Sequence, residues 1–162
     1  MIFQRNSGMV SAMPAFIFRG NIILYILKTE AAFDSAHFLS GYNGKCSNLH
    51  GHRWKLEIEV MSEKLISDGQ CRGMIVDFGD LKSDLKKLAD SFDHAFIYEK
   101  NTLKPETVAA LKSENFDLIG VDFRPTAENF SKYFYDIMKS KGYDVKLMTV
   151  YETPNNCAAY SE

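Results

Sequence analysis

The sequence predicts one α+β domain built on an antiparallel sheet. Three observations carry that expectation. The chain has 162 residues, 46% of them hydrophobic and 25% charged, which is the composition of one globular domain. Strand-like alternation stands at both ends, with helical periodicity between and no repeating strand-helix-strand pattern. The net charge is −2, from 19 basic and 21 acidic residues, so no basic surface for nucleic acid or an anionic membrane is expected.

Residues 1–23 read as a leader outside the domain. Their apolar run, 9–18, is broken by Ser11 and Pro14 and is too short to span a bilayer. It also lacks the unbroken apolar middle and cleavage site of a secretory signal. The domain is therefore expected over residues 24–162. Residues 24–36, rich in β-branched, aromatic and small side chains, read as a strand. After a loop holding Gly41, Asn43 and Gly44 comes the clearest alternation in the chain. Trp54, Leu56, Ile58 and Val60 fall on one face and Arg53, Lys55, Glu57 and Glu59 on the other, which is a half-buried antiparallel strand.

A turn at 67–69 leads to a helix over 80–92. Leu81, Leu85, Leu88 and Phe92 recur at helical spacing there, with Asp80 as N-cap. Pro105 opens a short helix through Leu111. A second amphipathic helix spans 126–141, capped by Thr126, with Phe130, Phe134, Ile137 and Met138 inward and Gly142 as the stop. Residues 144–152 alternate again as a strand, and 158–160 form a short one.

The chemistry concentrates near the first loop. Of the 4 histidines, His37, His50 and His52 lie close in sequence. On a strand, the two rings of an H-x-H pair project from one face, as two ligands of one metal must. An H-x-H pair alone is more often an ordinary surface or core pair; adding His37 shifts the reading to a metal. Three imidazoles leave a tetrahedral position open, the pattern of a catalytic zinc site. Cys46 stands in the adjoining loop, either as a thiolate base or nucleophile or as a fourth metal ligand. The 3 cysteines are too few for a disulfide framework, which points to reduced thiols in the cytoplasm. Asp93 and His94 are a candidate proton-relay pair, although neighbouring side chains on regular structure point apart. Glu152, at a strand end, could read a guanidine-like edge through two parallel hydrogen bonds.

Six blocks then carry a resemblance. Phe33-Asp34-Ser35-Ala36-His37, Cys46-Ser47-Asn48-Leu49-His50-Gly51-His52, Gly73-Met74-Ile75-Val76-Asp77-Phe78, Asp93-His94, Pro125-Thr126-Ala127-Glu128-Asn129 and Tyr151-Glu152-Thr153 resemble, in order and spacing, the 6-pyruvoyltetrahydropterin synthase and 6-carboxytetrahydropterin synthase family. The short gap between Cys46 and His50 resembles the carboxytetrahydropterin branch, which serves queuosine biosynthesis.

The resemblance implies a tunnelling fold: a four-stranded antiparallel sheet with two main helices on one face, assembling into a β-barrel within a homohexamer of two trimers. It implies zinc on His37, His50 and His52, Cys46 as proton acceptor, and Asp93 and His94 as a relay supplied by a neighbouring subunit. Glu152 would anchor the pterin, with Thr126 and Glu128 lining its pocket. The implied reaction is a carbon-carbon lyase step, 7,8-dihydroneopterin triphosphate to 6-carboxytetrahydropterin with release of acetaldehyde and triphosphate. The pyruvoyl-forming reaction on the same substrate is the alternative. One departure stands out: Phe96-Ile97-Tyr98 follows where the family often has Leu-Asn, and residues 101–116 look like a longer connection.

Two unrelated readings compete. A cupin barrel also uses H-x-H with a nearby glutamate, but Glu57 faces away from His50 and His52 on an unbroken strand, and Lys64 stands where that motif wants glycine. A non-catalytic assembly stabilised by zinc would need Cys46 as the fourth ligand.

Overall fold

The structure is a computed structural model that describes residues 24–162; the leader read over 1–23 lies outside the described residues. The elements are β1 (Tyr25–His37), β2 (His50–Ser62), α1 (Phe78–Asp90), β3 (Phe96–Glu99), α2 (Pro105–Ser113), β4 (Leu118–Val121), α3 (Ala127–Ser140), β5 (Val145–Thr153) and β6 (Asn156–Tyr160). A short 3₁₀ turn, Lys45–Ser47, interrupts the loop between β1 and β2.

The alternation of β2 is what the sheet is built on. β1 and β2 pair antiparallel from Tyr25↔Ser62 to His37↔His50, so every second residue of both strands faces the helices. Phe33, Trp54, Leu56, Ile58 and Val60 are thereby buried against Phe130, Phe134 and Met138 of α3 and Leu81, Leu85 and Leu88 of α1. Aromatic stacking continues through the layer: Phe33 lies over Trp54 at 6.2 Å and Phe130 over Phe134 at 5.4 Å.

The expected four-stranded antiparallel sheet is corrected to six strands of mixed direction, ordered β4-β3-β1-β2-β5-β6. The antiparallel part is β1-β2-β5-β6, while β3 runs parallel to β1 and β4 parallel to β3. The connection over 101–116 is the reason, because it is a crossover through α2 that joins two parallel strands. The two main helices keep their place: α1 packs on β1, and α3 on β5 and β6. α2 buries no residue.

The first helix begins earlier than its apolar spacing indicates. Asp77, not Asp80, is its N-cap, accepting a hydrogen bond from Gly79 N–H at 2.6 Å, and Asp80 lies within the first turn. Thr126 caps α3 as expected, its Oγ1 accepting from Asn129 N–H at 3.4 Å. Gly142, at φ 95°, takes the left-handed turn that ends the chain's run along α3. Among the described residues, no helix is long and apolar enough to cross a membrane.

Candidate metal centre

Register brings the three histidines together. His37 is the last residue of β1 and His50 the first of β2, and they are direct cross-strand partners. His52 lies two residues on, on the same face. Ring centroids are 4.5 Å apart for His37 and His50, 5.2 Å for His37 and His52, and 4.9 Å for His50 and His52. One nitrogen from each ring lies within 4.8 Å of the others, which suits a single ion.

Hydrogen bonds orient two of these rings. His37 Nδ1 lies 2.8 Å from the carbonyl oxygen of Pro125, and His50 Nδ1 lies 2.8 Å from that of Asn48. A carbonyl can only accept, so each Nδ1 carries the proton and each Nε2 offers a lone pair. Both Nε2 atoms are buried and have no hydrogen-bond partner. Burial is the main force pushing His37 down to about pKa 4, opposed by the Pro125 carbonyl and reinforced by His50 and His52. Burial likewise lowers His52, against the pull of Glu152. Burial thus favours the neutral form of His37 and His52, the form that ligates a metal.

Glu152, at the end of β5, adds a reason for a cation. Its Oε1 stands 3.6 Å from His37 Nε2 and 3.8 Å from His52 Nε2. With its proton on Nδ1, His37 presents a lone pair to a carboxylate that can also only accept, and a divalent ion nearby reconciles the two. The residues present fit zinc.

The floor of this centre is Trp54, which the β2 alternation places on the same buried face as His50 and His52. Trp54 is fully buried, with its ring 5.0 Å from His37 and 5.6 Å from His52, nearly perpendicular to both. The two carbonyls of Pro125 and Asn48 gave no signal, because a backbone acceptor leaves no mark in a sequence.

Cys46 sits on the 3₁₀ turn, half-buried, and its thiol is outside the metal-holding group. It lines a cavity of about 260 Å³ that also touches Thr126, Glu128 and Glu152. Glu152 also lines a larger cavity of about 690 Å³, together with His52, Arg53, Lys55, Tyr151 and Thr153. Four of the expected site residues therefore line one cavity, and Glu152 links it to the histidines.

Asp93 and His94 do bond. His94 Nδ1 lies 2.9 Å from Asp93 Oδ2, a contact that adjacent residues reach because His94 adopts φ 56°. The segment is tied to the outer edge of β1: Asp34 N–H donates to Asp93 Oδ1 at 2.8 Å, and His94 N–H to the Asp34 carbonyl at 2.7 Å. The Asp34 amide, then His94, hold the Asp93 carboxyl below the ordinary carboxylate range. His94 is 82% exposed and borders a cavity with His52 and Arg53, not the one that Cys46 lines. Within one chain the pair is not brought to the thiol.

What the fold and the histidine cluster define is a small α+β protein with a candidate mononuclear metal centre. A sequence model of the 6-pyruvoyl tetrahydropterin synthase family matches residues 26–162, and the chain belongs to that family. A Haemophilus influenzae protein named 6-carboxy-5,6,7,8-tetrahydropterin synthase is 37% identical over 142 residues, covering 86% of this chain and 100% of the relative. A protein of the same name from Aquifex aeolicus is 35% identical over 128 residues, 73% of this chain and 76% of the relative. Among solved structures, an uncharacterized Wolinella succinogenes protein superposes with a TM-score of 0.72 at 21% identity, over 86% of this chain and 99% of that one. Plasmodium falciparum 6-pyruvoyl tetrahydropterin synthase does so with a TM-score of 0.61 at 20% identity, over 86% and 98%. These two likenesses establish the fold.

Proposed function

We propose that the protein is a zinc-dependent carbon-carbon lyase that converts 7,8-dihydroneopterin triphosphate to 6-carboxytetrahydropterin, releasing acetaldehyde and triphosphate. The observation that carries this reading is the meeting of Cys46, Thr126, Glu128 and Glu152 in one cavity, with Glu152 also reaching His37 and His52 of the cluster. The names of the Haemophilus and Aquifex relatives favour the carboxypterin product.

In this reading His37, His50 and His52 hold the zinc. When bound, it supplies Lewis-acid polarisation of the substrate's side-chain oxygens. Glu152 takes the aminopyrimidinone edge through two parallel hydrogen bonds and so fixes which side-chain carbon faces the thiol. Cys46, as thiolate, accepts a carbon-bound proton. Asp93 keeps the His94 proton on Nδ1, which leaves Nε2 free to take up and return protons. Because His94 and Cys46 border different cavities within one chain, the relay acts on a neighbouring subunit's substrate. A homohexamer gives it that neighbour, and the outer edge of β1 from Tyr25 to Phe33, which has no strand partner among the described residues, is where a second chain would close the sheet.

The test is to incubate zinc-loaded protein with dihydroneopterin triphosphate and identify the products by mass. Acetaldehyde with the carboxypterin is expected. A pyruvoyl product would assign the protein to the sister activity, and no turnover would remove the enzymatic reading.

A further inference from the structure

Two consecutive residues before α3 hold the two sides of the candidate site. The Pro125 carbonyl accepts from His37, while Arg124 reaches the other way, into the loop between β1 and β2. Its Nη2 donates to the Ser40 carbonyl at 2.5 Å, and its guanidinium lies 5.9 Å from the centre of the Tyr42 ring.

The contacts continue to the thiol. The Tyr42 ring lies so close to Gly44 that a Cβ there would come within 2.6 Å of Tyr42 Cε1. The Gly44 carbonyl accepts from Ser47 N–H at 3.1 Å and from Ser47 Oγ at 2.8 Å, closing the turn that carries Cys46. The Cys46 carbonyl accepts from Leu39 N–H at 2.8 Å, next to Ser40. The Arg124 backbone is itself fixed to the start of α3, since its carbonyl accepts from Thr126 N–H at 2.8 Å and from Asn129 Nδ2 at 2.9 Å.

We propose that Arg124 is a positioning residue that sets the Cys46 loop against the metal centre, using the rigid start of α3 as its anchor. The proposal rests on the reading of Cys46 as the proton acceptor. Its chemical logic is geometric: the thiol sits on a loop, the histidines sit on strands, and a proton transfer needs the two held in register to within a fraction of an ångström. Arginine suits the task because one planar group can donate to a carbonyl and lie against an aromatic ring at once.

The experiment compares zinc-loaded wild type with Arg124→Ala, Arg124→Lys and Tyr42→Ala. The readouts are steady-state turnover of the pterin triphosphate, zinc content, and the rate of iodoacetamide labelling at Cys46 by peptide mass spectrometry. Arg124→Ala is expected to lower kcat by about tenfold or more with KM within about twofold, to keep its zinc, and to label several-fold faster at Cys46. Arg124→Lys, which keeps a cationic donor to Ser40, should recover part of the loss, and Tyr42→Ala should reproduce the effect from the loop side. Wild-type kcat and labelling in Arg124→Ala would overturn the proposal. So would loss of zinc with unchanged labelling, which would place the role of Arg124 at Pro125 and His37. If wild type itself does not turn over, the proposed reaction fails while the labelling comparison still decides what Arg124 does.

Discussion

His37 Nδ1 lies 2.8 Å from the carbonyl oxygen of Pro125, 88 residues further along the chain. That single bond joins the end of β1 to the start of α3 and leaves the opposite nitrogen of the ring as a buried lone pair. The bond from His50 Nδ1 to the Asn48 carbonyl does the same for the second ring, so two buried lone pairs face the candidate metal position.

Replacing His37 or His50 by alanine is expected to reduce bound zinc from about one per chain to near zero, since two imidazoles are too few for a stable site. Atomic emission on gel-filtered protein measures this. Retention of a full equivalent by both variants would show that the metal lies elsewhere.

Acid should destabilise the metal-free protein. The folded pKa of His37, about 4, lies below its ordinary value of 6.5, so on acidification the unfolded chain takes the proton first. Stability is insensitive to His37 above about pH 6.5, falls between about 6.5 and 4, and levels off below, for a loss of up to about 3 kcal/mol. Thermal unfolding in chelator across that range reads it, and His37→Ala should flatten the slope.

Cys46→Ala should keep its zinc and lose activity by a factor on the order of 10² to 10⁴, the usual worth of a positioned proton acceptor. Loss of zinc together with the oligomer would favour the non-catalytic assembly, in which the thiol is a ligand.

Trp54, the 1 tryptophan of the chain, touches the histidine rings and the core at once. Its fluorescence should change in step with zinc addition. Trp54→Ala should cost about 3 to 5 kcal/mol of stability in denaturant unfolding, because it empties a fully buried site between the sheet and Phe130.

Much of this was legible in the sequence because it is written in side chains of one period. The β2 alternation located both the buried face and the parity of His50 and His52, and Thr126 announced the start of α3. The strands β3 and β4 were not legible. Each has four residues, too few to show alternation, although the helix that crosses between them was legible from Pro105. The bond between Asp93 and His94 was also hidden, since it needs a left-handed backbone at a residue other than glycine. The ring-orienting partners Pro125 and Asn48 act through carbonyls, which every residue carries. Arg124 gave no signal, because its target is the backbone of Ser40.

The proposed reaction needs an open centre of three histidines with Cys46 off the metal. X-ray absorption at the zinc edge tests this most directly on zinc-loaded protein without substrate. Only nitrogen and oxygen neighbours are expected, at about 2.0 to 2.1 Å, with three imidazoles and solvent completing the shell. A sulfur neighbour at about 2.3 Å would contradict it.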